Sequence, residues 1–446
     1  MEDVLALAER VLGAAGVNGH EAEVYVKHRV VTTVQAGTGG ELRHVGGAET
    51  RGVGIRTIRG DRVGYASTSD VSDDGIRATV ARAHDNAGCA EPDPAGARLA
   101  DRRPAPVVDG LCHPALAGMP LTAKVALVLD LARRVTSLDP RVRRIDTAEW
   151  KDERASVAVA STRGVQASYE RGFADLWSDA LGEDDRATAS DYGHWWGRDP
   201  QLADPNQIAR EAVTRTTRLL GPLASTSAGD LLLLDPAVSA VLLDAIGRGL
   251  TGGATGSGRS PFADRHGEPV GPSWLHIVDD GTCLQAPTSA PFDDEGVPRR
   301  CTPLIEAGVL TGVLHSTATA AAGDTEQAST GNARRATHRG TPRAAPSTLR
   351  LAPIRAADAQ LAEAEEMICI QQLSGGGAGV SARTGRISVG GIGYLTRDGE
   401  PGGRLATLPL AGTLPAFLAG IISVGEDARV VPDRAVLAPT VLWRYR

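Results

Sequence analysis

Hydrophobic residues recur at helical spacing in several parts of the first half of the chain, with strand-like runs between them. This spacing predicts helices that end at Gly16, span 73–89 and 124–138, and run from Asp204 to about residue 220. Strands are predicted at 22–35, 51–58, 62–68, 143–149, 155–161 and 165–180. Residues 1–222 are therefore expected to form a mixed α/β domain.

The second half of the chain is richer in strand patterns. Strands are predicted at 231–234, 277–280, 302–305, 309–315 and 436–445, the last as an interface element. The segment 221–229 (GPLASTSAG) has the composition of a linker between domains. The expected fold class is α+β, in which the N-terminal α/β domain is followed by a β-rich C-terminal domain at 223–446.

One stretch, 230–260, has the pattern of a frame for a catalytic site. Leu231–Leu234 form an unbroken apolar run, which predicts a strand buried on both faces. Asp235 and Pro236 predict a helix start, and apolar residues then recur at helical spacing up to the glycines from Gly247 onward. A flexible glycine-rich loop is expected at 253–258.

Three kinds of chemistry can be tested on this stretch. A phosphate-binding loop needs a strand before it and a helix after it, but at 253–260 the helix comes first. A serine nucleophile needs the spacing G-x-S-x-G, which Ser257 does not have. A zinc helix needs histidines, whereas residues 241–249 contain none and carry Asp244 as their single carboxylate. The stretch 230–260 therefore lacks recognisable catalytic residues.

Composition narrows the classes of function. The 47 Lys and Arg against 54 Asp and Glu give a net charge of −7, and the basic residues are not concentrated as nucleic-acid binding requires. The five cysteines are scattered without a C-x-x-C pair, so buried free thiols are expected. No apolar run approaches the ~20 residues that span a bilayer, and the acidic start differs from a signal peptide. We therefore expect a cytoplasmic protein that binds neither nucleic acid nor membrane.

Four stretches resemble the TldD/PmbA family of peptidase subunits. They are RGVGIRTIRGDRVGYAST (51–68), PFDDEGVPRRCTPLIEAGVLTGVLHSTATA (291–320), STGNARR (329–335) and VGEDARVV (424–431). The resemblance extends along nearly the whole chain. It implies a paired assembly whose active subunit is a zinc metallopeptidase carrying His-Glu, three residues, then His, at the helix after residue 235.

Aligned through Leu242 and Leu243, those metal-site positions hold Asp244, Ala245 and Gly249 in this chain. The resemblance also implies a cysteine ligand shortly after the stretch that matches 424–427, but the sequence has no cysteine beyond residue 369. We interpret the three positions as a degenerate metal site, so the chain resembles the metal-free partner type. The resemblance thus implies no catalytic residue, metal ligand or cofactor in this chain and zinc in the partner.

Two groups of polar residues are candidates for substrate binding. Asp294 and Glu295 lie in the run 292–296, which either lines a peptide groove or forms a solvated or hydrogen-bonded turn. Asn332, Arg334 and Arg335 form the second group. The two arginines could bind a carboxylate, such as a peptide C-terminus, in bidentate geometry. Alternatively, they could pair with the carboxylates at 293–295 as an internal ion network.

The densest aromatic cluster is DYGHWW, at 191–196. His194 could contact a substrate, but a surface patch at an interface and a purely structural histidine remain open alternatives.

The resemblance implies a non-catalytic subunit that pairs with a TldD-like zinc peptidase. The pair would enclose a cavity that admits unfolded peptides, for proteolysis or for the maturation of natural-product peptides. A peptide could lie there as an extended strand against a sheet edge. Two other hypotheses stay open: a self-sufficient or repurposed enzyme of a peptide or natural-product pathway, and a homodimeric peptide-binding protein.

The combined substitutions Asp244→His, Ala245→Glu and Gly249→His are expected not to restore hydrolysis. The reason is that the cysteine ligand and the groups that orient the ligands would still be absent. Cleavage of an unfolded peptide by the purified triple variant, with and without added zinc, is the measurement. Zinc-dependent cleavage would contradict this expectation.

Overall fold

The computed structural model describes residues 3–16, 20–224, 230–323, 328–352, 366–397, 400–431 and 433–445. The predicted linker at 221–229 therefore lies mostly outside the described residues, which include only its positions 221–224. Within the described ranges, no helix is long and apolar enough to cross a membrane.

The first half of the chain builds one seven-stranded antiparallel sheet. Its helices are α1 (Val4–Ala15), α2 (Asp73–Cys89), α3 (Pro114–Gly118), α4 (Leu121–Ser137) and α5 (Pro205–Thr217). Its strands are β1 (Glu21–Ala36), β2 (Leu42–Arg59), β3 (Arg62–Thr68), β4 (Val142–Arg144), β5 (Ala148–Ser161), β6 (Gln166–Glu183) and β7 (Thr188–Gly197). The strand order is β3-β2-β1-β5-β6-β4, and β7 also pairs with β6. Apolar faces of α1 and α2 pack with Val24 and Ile55, and those of α4 and α5 pack around Trp150 and Leu176.

The second half builds two larger sheets and a hairpin. Its helices are α6 (Pro236–Gly249), α7 (Gly252–Gly256), α8 (Thr317–Ala321) and α9 (Leu414–Ala419). Its strands are β8 (Leu231–Leu234), β9 (Ile277–Asp280), β10 (Cys301–Glu306), β11 (Val309–Leu310), β12 (Ala333–Arg334), β13 (Arg343–Ala344), β14 (Leu349–Leu351), β15 (Glu366–Leu373), β16 (Arg386–Arg397), β17 (Glu400–Arg404), β18 (Leu408–Thr413), β19 (Ile421–Val424), β20 (Arg429–Val430), β21 (Val436–Ala438) and β22 (Val441–Arg444). Short 3-10 helices occupy Thr38–Gly40, Pro200–Leu202 and Ser374–Gly377.

The strands of the second half pair only among themselves within the described residues. The six-stranded sheet has the order β11-β10-β9-β14-β21-β20, and the seven-stranded sheet has the order β17-β16-β15-β8-β22-β19 with β18 on β16. Strands β12 and β13 form a separate two-stranded hairpin. The α+β prediction is confirmed, whereas the domain division between residues 222 and 223 stays a prediction.

Helix α6 lies between the two sheets of the second half, next to β14 and β21 on one side and to β8 and β15 on the other. All of its residues except Ala237 and Arg248 are buried. The sequence pattern predicted that the glycines from Gly247 onward end α6, and the helix ends at Gly249. A Cβ at Gly247 would lie 2.1 Å from Leu349 Cδ1, so glycine is needed there for close packing against β14.

The predicted break between strands 143–149 and 155–161 is wrong, because β5 is continuous over that interval. Its charged middle is held by ion pairs rather than exposed in a turn. Asp152 Oδ2 lies 2.6 Å from Lys124 Nζ, and Glu153 Oε2 lies 2.7 Å from Arg29 Nη2. Pairing of this kind allows carboxylates to remain in a sheet that is largely covered.

Two predictions about exposed and buried strands are also wrong. The segment 436–445 does not form one interface strand but splits into β21 and β22, which lie inside two different sheets. Val441, Leu442 and Trp443 are consequently buried within the chain itself. Strand β8 is not buried on both faces, since Leu231 is 37% exposed.

Two smaller predictions are wrong as well. The stretch at 253–258 is not simply a flexible loop, because its first part belongs to α7. The five thiols are free, but only Cys283 and Cys369 are buried, while Cys89 and Cys301 are exposed.

A buried ion network connects the first sheet to the second half of the chain. Glu23 on β1 faces Arg56 on β2 in the strand register, and their side chains are 2.7 Å apart. The same Arg56 lies 3.1 Å from Glu295 Oε1, and the other oxygen of Glu23 binds Arg335. All four side chains are at most 3% exposed. The network therefore holds Glu295 and Arg335 against the sheet of the first half.

Arg335→Gln is expected to lower the free energy of unfolding by about 3–5 kcal/mol, because it leaves a buried carboxylate with one partner fewer. Its neighbour offers a matched control: Arg334 is exposed, so Arg334→Gln should change stability by no more than about 0.5 kcal/mol. Urea unfolding of both variants is the measurement. Equal losses in the two variants would show that the network does not stabilise the fold.

Candidate functional site

The α6 position that the resemblance assigns to the first metal-binding histidine carries a carboxylate in an ion pair. Asp244 Oδ2 lies 2.6 Å from Arg248 Nη2, one helical turn further on, and 3.1 Å from Arg434 Nη1. Its side chain is only 13% exposed. Arg434 also donates a hydrogen bond to the carbonyl oxygen of Gly376 at 3.3 Å. Two guanidinium groups therefore surround the one acidic group of this helix.

The other two degenerate positions offer no side-chain ligand atom and lie in tightly packed surroundings. Ala245 is 1% exposed and has no donor atom beyond its backbone. At Gly249, a Cβ would already lie 3.3 Å from the carbonyl oxygen of Ala382 and from Phe262 Cδ2. With Asp244 engaged by two cations, these residues do not fit a zinc ion. Across the described part of the chain, no three His, Cys, Asp or Glu side chains gather as metal ligands would.

The acidic run at 293–295 forms a buried, hydrogen-bonded turn and not a solvated one. Asp293 Oδ1 accepts backbone hydrogen bonds from Glu295 and Val297, both at 2.9 Å, and its Oδ2 accepts one from Ala333 at 2.9 Å. Asp294 Oδ2 accepts the backbone N–H of Arg335 at 2.6 Å. Burial and the charge of Glu295 raise the pKa of Asp293, and the backbone donors act in the opposite direction. These contacts support the structural interpretation of the turn.

Glu295 has a structural role of the same kind. One of its oxygens binds Arg56, and the other accepts the backbone N–H of Thr317 at 2.8 Å, at the start of α8. Its side chain is fully buried. The carboxylate therefore joins the first sheet to α8 and has no oxygen left for a substrate.

Asn332 is buried as well, and its amide is used within the chain. Its Nδ2 donates to Asp279 Oδ2 at 2.6 Å, and its Oδ1 accepts from Thr330 Oγ1 at 2.6 Å. Asp279 Oδ1 accepts the backbone N–H groups of Ser347 and Thr348. Burial raises the pKa of Asp279, although the bond from Asn332 opposes this shift. Asn332 thus fixes the backbone on both sides of the β12–β13 hairpin.

Adjacent arginines have different surroundings. Arg335 is buried, pairs with Glu23, and lies over the rings of Tyr25 and Tyr65, at 5.1 and 5.7 Å from their centroids. Arg334 is exposed and lines a cleft. Arg335 is therefore held in an internal ion network, but its carboxylate partner is Glu23 and not a member of the expected run at 293–295. Of the two arginines, Arg334 is the one oriented for an external ligand.

A cleft of about 1010 Å³ lies between the first sheet and parts of the second half, namely 287–288, 334, 336–339, 430–431 and 433–435. Its sheet wall is formed by alternate residues of β6 and β7: Arg171, Phe173, Asp175, Trp177, Tyr192, His194 and Trp196. The opposite face of β6 contributes Ala174 and Leu176 to the core. Arg434, which pairs with Asp244, lines the same cleft.

Most of this wall was missed by the sequence reasoning, which treated 191–196 only as an aromatic cluster. The signal was nevertheless present: strand 165–180 was predicted, and its period of two separates large polar and aromatic residues from small apolar ones. His194 Nε2 lies 2.9 Å from Asp175 Oδ1 across the two strands. The two atoms lack the geometry of a hydrogen bond and are buried without another partner, while His194 also lines the cleft.

Comparison with known proteins agrees with the sequence resemblance. Models of the PmbA/TldA metallopeptidase match in three consecutive parts: domain 1 at 22–87, the central domain at 114–220 and the C-terminal domain at 231–444. Metalloprotease PmbA of Escherichia coli O157:H7 is 26% identical over 394 residues, which cover 87% of this chain and 84% of that protein. The metalloprotease PmbA homolog of Haemophilus influenzae is 25% identical over 395 residues, covering 87% and 83%.

A solved structure shows the same fold. TldE from Thermococcus kodakarensis aligns with a TM-score of 0.89 and 19% identity over 98% of this chain and 99% of that chain. The three family models together span most of the chain, and both relatives match it over more than four fifths of their length. The chain therefore belongs to the TldD/PmbA metallopeptidase family, as a PmbA/TldE-like member.

Proposed function

We propose that this chain is the non-catalytic subunit of a zinc metallopeptidase and pairs with a TldD-like subunit that carries the metal. The pair encloses a cavity that admits unfolded polypeptides and excludes folded ones. Zinc and the general base come from the partner, and this chain supplies part of the cavity wall and binds the substrate.

The observation that supports the proposal most strongly is the pairing of Asp244 with Arg248 and Arg434. A metal site holds its cation with neutral or negative ligands. Here two guanidinium groups lie against the single carboxylate of α6, both within 3.1 Å of its Oδ2. A divalent ion entering this position would face two positive charges at short range. The charge balance of the helix is thus suited to an ion pair and not to zinc.

The cleft beside Arg434 supports the substrate part of the proposal. Its volume of about 1010 Å³ exceeds what a single side chain needs, and its wall combines the rings of Phe173, Trp177 and Trp196 with charged groups. Aromatic rings and mixed polar groups of this kind bind extended chains with limited selection among side chains. Unfolded peptides, including precursors of modified natural-product peptides, are therefore the substrate class that we assign to the pair. We place the pair in the cytoplasm.

Co-expression with a family member that carries the His-Glu-x-x-x-His helix tests the proposal. An affinity tag on this chain should recover that partner, and the purified pair should cleave an unfolded peptide in a zinc-dependent way. The chain alone should have no activity, and the partner alone should be at least about tenfold slower than the pair, because part of the cavity would be missing.

Two results would contradict the proposal. Cleavage by this chain alone that a chelator abolishes would identify a self-sufficient enzyme. Recovery of the tagged chain only with copies of itself, with no rate increase on mixing, would favour a homodimeric peptide-binding protein.

A further inference from the structure

One end of the cleft carries a group of cations. Lys27 on β1, Arg171 on β6 and Arg334 on β12 line both the large cleft and a smaller cavity of about 90 Å³ that continues from it. Thr288 and Ala336 also line both spaces. The smaller cavity is therefore an extension of the cleft, and these three side chains stand where the two meet.

The three cations lack hydrogen-bond and ion-pair partners of their own. Among the described residues, no side chain or carbonyl lies within hydrogen-bond or ion-pair distance of Lys27, Arg171 or Arg334 in suitable geometry, and Nε of Arg171 is buried without an acceptor. By comparison, Arg299 in the same cavity donates to the carbonyl oxygen of Thr288 at 2.7 Å. A buried donor such as Arg171 Nε is normally satisfied, so its lack of an acceptor needs an explanation.

The nearest carboxylates bind other groups, although Asp294 itself lines the smaller cavity. Glu153 Oε2 is 2.7 Å from Arg29 Nη2. Asp294 Oδ2 accepts the backbone N–H of Arg335 at 2.6 Å. Neither acid therefore forms an ion pair with the three cations. The charges of both acids nevertheless act to raise the pKa of Lys27, and the charge of Asp294 acts to raise that of Arg334.

The cations repel one another, although for Arg171 the effect of burial is outweighed by Tyr169, Asp294 and Glu153, so that its pKa is raised overall. Burial and the charge of Arg171 lower the pKa of Lys27, and the same two causes lower the pKa of Arg334. An anion bound among the three would remove this repulsion and would accept the unused donors. The arrangement favours binding of a negative charge without any change of backbone.

We infer that Lys27, Arg171 and Arg334 form a subsite for the C-terminal carboxylate of a peptide that lies in the cleft. A cavity of about 90 Å³ accommodates a carboxylate and little more, whereas the adjoining cleft has room for the preceding residues. Guanidinium groups bind carboxylates through paired, charge-assisted hydrogen bonds. Alternate residues after Arg171 on β6, Phe173 and Trp177 among them, continue along the cleft wall.

The subsite differs from the arginine pair expected from the sequence. Arg335 binds Glu23 inside the protein and does not take part, while Lys27 and Arg171 come from strands far away in the sequence. The assignment of this carboxylate to a peptide substrate rests on the proposed function. The preference for a carboxylate over its neutral amide rests on the three cations alone.

The test compares two versions of one peptide on the purified full-length chain. An unstructured peptide of Gly, Ala, Ser and Leu with an N-terminal fluorescein is prepared as the free acid and as the C-terminal amide. Fluorescence anisotropy should show that the acid binds at least about tenfold more tightly, the size expected of charge-assisted hydrogen bonds. Inorganic phosphate should weaken binding of the acid and leave binding of the amide unchanged.

Two matched arginine variants test whether the preference for the acid depends on the proposed subsite. Arg334→Gln should reduce the acid-to-amide preference about fivefold or more without altering the affinity for the amide. Arg343→Gln is the control, because Arg343 is the exposed register partner of Arg334 on the same hairpin and lines neither cavity. The Arg343→Gln variant should keep the acid-to-amide preference of the wild type.

Equal affinity for acid and amide, or no binding of the acid, would overturn the inference. An equal loss in Arg334→Gln and Arg343→Gln would also overturn it, since the preference would then reflect general surface charge. These measurements use the chain alone, so their failure differs from a failure of the proposed function, which would appear as absence of a complex with the zinc-bearing partner.

Discussion

The structure depends on charge neutralisation in its interior. Glu23, Arg56, Glu295 and Arg335 are nearly inaccessible to water, and each would be costly to bury alone. Glu23 and Arg56 pair within the first sheet, whereas Glu295 and Arg335 come from the second half and find their ionic partners, Arg56 and Glu23, only when both halves of the chain are in place. Burial lowers the pKa of Arg56, but its two carboxylate partners outweigh that effect, and the pKa is raised overall. The network makes the arrangement of the two halves specific.

This constraint also determines which groups remain for a ligand. Arg335 is used for the network, so its neighbour on β12 is the one that extends into the cleft. The turn at 293–295 is held by the backbone of Ala333 and Arg335, which leaves Lys27 and Arg171 without an acidic partner. At α6, Asp244 is likewise held in an ion pair, with Arg434.

The sequence predicted the parts of the fold that depend on local patterns. Helix α2 was predicted with its observed ends, and the hairpin at Gly60 and the strand–helix unit β8–α6 were also found. Long-range pairing was not predictable in the same way. The acidic middle of β5 looks like a turn until Lys124 and Arg29 are known to lie beside it. The close packing of Leu349 against Gly247 likewise has no local signal in the sequence.

The candidate site shows the same division. The degenerate positions on α6 could be named from the resemblance, but the role of Arg434 required the fold, because it lies 190 residues away. Asp294, Glu295 and Asn332 were identified as polar candidates, yet their bonds are internal. Lys27 and Arg171 carry no local signature, since single basic residues on strands are common. Only the packing of β1, β6 and β12 brings them together.

The central claim is that α6 holds an ion pair where a relative with a metal would hold zinc. Metal analysis of the purified chain after zinc loading and gel filtration tests it most directly, with Asp244→Ala measured in parallel. The account predicts far less than stoichiometric zinc in both proteins. Stoichiometric zinc in the natural chain that disappears in Asp244→Ala would contradict it.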